Sequence, residues 1–271
     1  MVRSLLVRGM LVGIVAGLLS FGFLKLYGEP QVDRAIAFET QMDEAKAAAE
    51  KTVAEKSKGA EKGMDMTKGM DMAKGMDMAE EPELVSREVQ AGLGLFIAVM
   101  VYSTAFGGLF ALAFAFAYGR VADAFTPQGV SLLLAVIGFV AIYLVPNLKY
   151  PANPPAVGDA ETIGIRTALY FIMIAISVAA MVIAVTLKRS LIARLGNWNA
   201  TIVVGACYLA LVVLAGLLLP TVNEVPEQFP AVVLWKFRIA SLGAQSIMWA
   251  TFGLLFGELA RRAIAGSRLQ A

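Results

Sequence analysis

The chain has 271 residues, of which 58% are hydrophobic and 16% charged, with a mean hydropathy of +0.70 and a formal net charge of +2. That apolar excess marks an integral membrane protein, while the small net charge and the lack of a basic run interleaved with aromatics exclude nucleic acid as a partner. The single cysteine, Cys207, excludes disulfides, paired redox thiols and thiolate zinc sites, and the absence of histidine removes bis-histidine haem, HExxH zinc and Ser-His-Asp chemistry, so no enzyme is expected.

Crossing a hydrocarbon core about 30 Å thick takes about 18 or more apolar residues. Six runs are candidates: Gly9 to Tyr27, Ala91 to Tyr118, the shorter Val130 to Val145, Ile163 to Leu187, Ala200 to Leu219 and Ala231 to Gly257. Lipid satisfies no backbone polar group, so each span should be helical, and no alternating pattern suggests a barrel. The expected fold class is an all-α integral membrane protein, a six-helix transmembrane bundle with a long, largely disordered first extramembrane loop. The divisions are helix 1 over residues 1–28, an external loop over 29–90, helices 2–6 over 91–258 and a cytoplasmic tail over 259–271.

The first run has a charged start like a signal peptide, but no small-x-small cleavage site follows "LKLYGEPQVDR", so it reads as a retained helix. Gly9, Gly13 and Gly17 form two overlapping GxxxG spacings there, and Gly253 with Gly257 repeats the spacing in the last helix. These faces should bury against neighbouring helices.

Three stretches make up the first loop. Residues 31–58 are rich in Ala, Glu and Lys, with Lys46 to Glu50 and Lys51 to Glu55 at i,i+4, and read either as an exposed helix or as a solvated spacer. "KGMDMTKGMDMAKGMDMA", residues 62–79, then repeats one six-residue unit three times. An extended MDM unit sets two thioethers on one side and a carboxylate on the other. Met64, Asp65 and Met66, Met70, Asp71 and Met72, and Met76, Asp77 and Met78 are therefore candidate metal ligands. Thioether is soft, favours Cu(I) and does not titrate, and aspartate suits harder ions. A polar linker is the plain alternative. Glu81 and Pro82 look like a helix-start region.

Further along, "NLKYPANPPAVGDAETIGIRT", residues 147–167, is a proline-stiffened loop, with Asp159 or Thr162 placed to cap the next helix. Arg166, Tyr170, Met173 and Ser177 form one stripe on that helix, and Arg238, Ser241 and Gln245 form another on the last. Both stripes should face protein or water. Lys236 and Arg238 either snorkel to the interface beside Trp235 or pair with Glu224, Glu227, Glu161 or Asp159, and Arg166 either lines a pathway or pairs within its own loop. Cys207, inside an apolar run, is expected as a packed core thiol.

Arg3, Arg8, Arg120, Lys188, Arg189, Arg194, Arg261, Arg262 and Arg268 fall on one side of an even-numbered bundle, which the positive-inside rule makes the cytoplasm. Both termini are then cytoplasmic and the repeat faces outward.

"RGMLVGIVAGLLSFGFLKLYGEPQVDRAIAFE", "LKYPANPPAVGDAETIGIRT" and "WKFRIASLGAQSIMWATFGLLFG" resemble the CbtA family of predicted bacterial cobalt-transporter subunits, over nearly the whole chain. Matching positions include Glu29, Pro30, Lys149, Tyr150, Pro151, Asn153, Pro154, Pro155, Gly158, Arg166, Arg238 and Trp249. The resemblance implies an inner-membrane protein that takes up cobalt with a small, single-span, histidine-bearing CbtB-like subunit, without a resident cofactor. Relatives often hold a histidine-rich stretch in the first loop where this chain has Met and Asp. Cobalt is thus the expected cargo, with copper transport or handling the alternative, and a non-transporting membrane scaffold the rival class. The expected pathway runs from a mouth at Glu29, Asp159, Glu161 and Glu224, along Arg166 and Tyr170 on one helix and Arg238, Ser241 and Gln245 on the other.

Overall fold

The computed structural model describes residues 2–60, 85–121 and 125–268. Five helices among them are long and apolar enough to cross a membrane: α1 (Val2–Val53), α2 (Arg87–Arg120), α3 (Pro127–Lys149), α4 (Ile163–Leu218) and α5 (Ala231–Gly266). The Met-Asp repeat and the Glu81-Pro82 pair lie outside the described residues.

Two elements differ from the sequence expectation. The first helix does not stop near Tyr27 but passes through a widened turn at Leu24–Gly28 into Glu29–Ala60, so the Ala/Glu/Lys stretch is helix rather than spacer or disordered loop. Its surface is supported by a Lys46–Asp43 pair at 3.8 Å. The shortest predicted span is extended at both ends, to Pro127 and Lys149, and at its start Thr126 caps it by accepting from the Gly129 amide at 3.1 Å, with Pro127 preset for the first turn.

The fourth helix is not one straight rod. At about 1.5 Å per residue its 56 residues would exceed 80 Å. Gly196, with φ 73 and ψ 167, breaks the helical path, a conformation open to glycine at little steric cost. Ser177 and Tyr208, thirty-one residues apart, then meet by a hydroxyl–hydroxyl hydrogen bond of 2.9 Å. That contact requires the two arms to fold back on each other. Cys207, next to Tyr208, is exposed on the outside of the second arm, so it is not a core thiol.

The core is shared by α1, α2, α3 and α5 and centres on Phe110, Phe114, Trp249, Phe252 and Phe256. The rings meet mostly edge to face, as in Phe114–Phe256 at 5.1 Å and Phe110–Phe256 at 5.4 Å. The paired arms of α4 lean chiefly on the far half of α3. Their outer faces carry Leu217, 78% exposed, and Trp198, 77% exposed, as lipid-facing surfaces do.

Glycine sets how near α1 and α2 come. A Cβ on Gly13 would fall on the Ser103 carbonyl, and one on Gly107 would fall on the Gly9 carbonyl. The GxxxG face is therefore buried, as expected. Serines add hydrogen bonds across the bundle: Ser20 donates to the Ala244 carbonyl at 3.1 Å, and Ser131 to the Gly253 carbonyl at 2.9 Å, beside a widened turn at Phe252–Phe256.

Gly107→Val should therefore force α1 and α2 apart and cost about 1–3 kcal/mol, the usual range for overpacking. Thermal unfolding of detergent-solubilised protein followed by size-exclusion fluorescence reads this as a lowered midpoint. Gly119→Val, where nothing lies within 4 Å of the added carbon, should leave the midpoint nearly unchanged.

Candidate functional site

A cavity of about 670 Å³ opens where the loop ends of α3, α4 and α5 converge. Each helix brings a polar stripe to it. Tyr143 and Asn147 come from α3, Arg166 and Tyr170 from α4, and Arg238 and Ser241 from α5, while the loops add Tyr150, Asn153 and Glu224. The Tyr143 and Ser241 hydroxyls share a 2.9 Å hydrogen bond at the wall.

The proline-rich loop is fixed by side chains rather than by regular structure. Asn147 Oδ1 accepts from the Ala152 amide at 3.2 Å, Tyr150 donates to the Pro220 carbonyl at 2.8 Å, and Arg238 donates to the Ala152 carbonyl at 3.3 Å and to Asn153 Oδ1 at 2.9 Å. Prolines 151, 154 and 155 supply no amide donor, so these side chains hold backbone that no ladder can hold. Gly158 has φ 121, and a Cβ there would strike the Arg166 guanidinium. Glycine is what seats that arginine.

Arg166 joins the two loops. Its Nε lies 3.3 Å from Glu224 Oε2, and its Nη2 donates to the Asp159 carbonyl at 3.0 Å. The Asp159 amide donates to Glu224 Oε2 at 2.9 Å. The Thr162 hydroxyl and the Asp159 amide, with the Arg166 charge, hold the Glu224 carboxyl below its ordinary value of 4.5, against an opposing effect of desolvation. Thr162 and Asp159 do not cap α4. The Thr162 hydroxyl bonds the Asp159 carbonyl at 3.0 Å, and Asp159 Oδ1 accepts from the Glu161 amide at 3.0 Å.

The predicted pathway residues divide among four places. Arg166, Tyr170, Glu224, Arg238 and Ser241 line the cavity, and Asp159 and Glu161 lie on the exposed loop beside it. Glu29 stands apart in a smaller cavity of about 200 Å³ with Gly28, Leu95 and Phe237, where Arg87 pairs with it and with Asp33 at 3.0 Å. Ser241 belongs to both walls. Gln245, one turn further along α5, reaches the Tyr102 hydroxyl. Arg238 pairs with no acid among the described residues, contrary to one of the expected alternatives, and Lys236 is exposed beside an exposed Trp235.

Sequence reasoning missed Tyr143, Asn147 and Tyr102. The first two stand at i and i+4 on α3, a spacing visible in the sequence once α3 is allowed to reach Lys149, and Tyr150 follows just beyond the helix end. No group of three or more His, Cys, Asp or Glu that could hold a metal occurs among the described residues. The vestibule offers oxygen donors of neutral side chains and one carboxylate already bound to arginine. That set suits a transient guest better than a resident ion.

A carboxyl with a lowered folded-state pKa contributes stability that is complete above its unfolded value and is lost as pH falls through the folded value. Glu224 should therefore leave the unfolding midpoint flat from pH 7 to 5 and lower it below about pH 4. Thermal unfolding across that range should show a smaller acid drop in Glu224→Gln than in the parent protein.

A family model described as "Probable cobalt transporter subunit (CbtA)" matches residues 2–261, nearly the whole chain. No curated protein and no solved structure matches it. The apolar helices and this match together identify a multi-pass membrane protein. The chain belongs to the CbtA family of probable cobalt transporter subunits.

Proposed function

We propose that this chain is the membrane subunit through which cobalt enters across the bacterial inner membrane, by way of the vestibule between α3, α4 and α5. The observation that carries the reading is the Arg166–Glu224 bridge in the vestibule wall. In the resting state arginine neutralises the carboxylate, so the site is not left with a partly buried, unpaired charge. A divalent cation brings two charges to the same oxygen and displaces Arg166 toward its remaining acceptor, the Asp159 carbonyl. Tyr143, Tyr170 and Ser241 then continue the polar lining inward, and Gln245 with Tyr102 continues it further along α5.

Six crossings follow if each arm of α4 spans the bilayer, which the Gly196 break and the Ser177–Tyr208 contact support. With Arg120, Lys188, Arg189 and Arg194 on one side, both termini are cytoplasmic and the vestibule faces out.

The Met-Asp repeat is the collector in this scheme. Helix Glu29–Ala60 rises from the vestibule region, where Phe38 packs on Phe229 at 5.1 Å between ring centres. Ala60 lies about 40 Å along that helix from Asp33, at about 1.5 Å per residue, while Arg87 is held at Asp33 itself. The described residues that flank the repeat thus stand at a distant tip on one side and at the Asp33–Arg87 pair on the other. A CbtB-like subunit would bring the imidazole ligands that this histidine-free chain lacks. Copper is the second reading, favoured by the six thioethers of the repeat.

Accumulation of radioactive cobalt in cells whose only version of this protein is altered tests the scheme. Glu224→Gln should lower the rate about tenfold, and deletion of residues 62–79 should raise the half-saturating concentration while sparing the maximal rate. A scaffold predicts no change in either. Met70→Cys in a Cys207→Ser background should react with an impermeant thiol reagent in intact cells, and protection until lysis would place the repeat inside and end the uptake reading. Titration of the repeat peptide with Co(II) and Cu(I) ranks the metals, and strong cuprous with negligible cobalt binding would favour copper.

A further inference from the structure

The vestibule wall holds two guanidiniums, Arg166 and Arg238, against one carboxylate, Glu224. Arg166 is matched by Glu224. Arg238 is not matched. Its Nε meets the Ala152 carbonyl at 3.3 Å and its Nη2 meets Asn153 Oδ1 at 2.9 Å, both neutral acceptors, and its side chain is half-buried in the wall. Those two bonds use two of the five N–H donors of the guanidinium fork and leave the others to face the cavity. The loop acids Asp159 and Glu161 are exposed and do not line the cavity.

Resting on the uptake reading above, we propose that Arg238 forms an anion subsite in the vestibule, and that the cargo enters as a metal ion accompanied by a carboxylate- or phosphate-bearing ligand rather than as a bare cation. The size of the cavity agrees. Six waters of a hexa-aqua ion occupy roughly 180 Å³ at about 30 Å³ each, well under the 670 Å³ available. The lining agrees as well. Guanidinium binds carboxylate and phosphate through paired, charge-assisted hydrogen bonds. The phenols of Tyr143 and Tyr170 and the amide of Asn147 can donate to the remaining oxygens of such a ligand. A bare divalent ion would meet Arg238 as a like charge, whereas an anionic or neutral complex presents its ligand oxygens to Arg238 and its metal to Glu224. The wall is therefore divided into an anion-facing side and a cation-facing side.

The test uses purified full-length protein and reads binding by calorimetry, with citrate, inorganic phosphate, Co(II) and a one-to-one Co(II)–citrate mixture as probes. Citrate or phosphate alone should bind the parent protein, and Arg238→Gln should weaken that binding at least tenfold. Arg238→Lys should retain part of it, and Asn153→Ala, which removes one of the two loop acceptors of the guanidinium and leaves the Ala152 carbonyl, should keep it. A preference for the mixture over either component assigns the complex, and equal binding of citrate with and without cobalt assigns a free anion at the same subsite. No binding of either anion to folded parent protein, or equal binding by Arg238→Gln, would overturn the proposal and leave Arg238 as a loop anchor. Because the anion is probed without metal, that outcome is independent of whether cobalt is transported. If Arg238→Gln does not fold, a loss of anion binding in Arg238→Lys with an unchanged unfolding midpoint still supports the subsite, and full retention overturns it.

Discussion

A bilayer offers the backbone no hydrogen-bond partner, and the arrangement of this chain follows from that constraint. Regular helix satisfies it without help, so the informative places are those where helix geometry fails. The widened turn at Phe252–Phe256 lies beside Ser131, whose hydroxyl donates to two carbonyls there. The widened turns at Leu24–Gly28 and Gln90–Gly94 are tied together by Lys25, whose ammonium reaches the Ala91 carbonyl at 3.0 Å. In the proline-rich loop the same need is met by Asn147, Tyr150 and Arg238. At these three places a polar side chain wraps the irregular backbone. In the proline-rich loop the residues recruited for wrapping, Asn147, Tyr150 and Arg238, also give the vestibule its polarity.

Charge placement sets what that vestibule admits. At an effective dielectric of about 20, two unit charges about 6 Å apart interact by roughly 3 kcal/mol, and a divalent ion doubles the figure. An unmatched Arg238 is then a barrier to a bare cation of the same order as the attraction offered by Glu224. Arg166 moderates both, because its position decides whether Glu224 is available. Gly158 matters to this balance although it carries no side chain. Its positive φ and the absence of a Cβ let the Arg166 guanidinium lie against the loop, where the Asp159 carbonyl and Glu224 reach it together.

Helical class, the apolar runs and the buried glycine face were legible in the sequence because each depends on local pattern: length of apolar run, or small residues every fourth position. The continuation of α1 through Glu29–Ala60 was written less clearly, since an Ala/Glu/Lys stretch suits an exposed helix and a solvated spacer alike. Of the site, the α4 and α5 stripes were readable because a single helix carries each. The Arg166–Glu224 bridge, the separation of Glu29 from Glu224 and the neutral partners of Arg238 were not, because they depend on how loops from different helices meet. Cys207 shows the same limit. An apolar run tells that a residue lies in the membrane, but not whether it faces protein or lipid.

Transport adds a constraint that stability does not: binding must be favourable enough for entry and weak enough for release. The donor types along the proposed route satisfy this in sequence. Under the proposed scheme the collecting ligands are thioethers, a poor match for a borderline ion such as Co(II), and aspartates, so a metal taken up by the repeat would exchange readily. The vestibule then offers phenol, amide and hydroxyl oxygens with one carboxylate that must first be released from arginine. No described cluster of acids or thiols waits further in to trap the ion. A histidine-rich loop would raise affinity at the collecting step, yet it would also slow release and lose its hold as imidazoles protonate in acid. In the proposed scheme methionine and aspartate would give up affinity for speed and for capture that persists at lower pH, a trade that suits a chain whose next ligands are as weak as these.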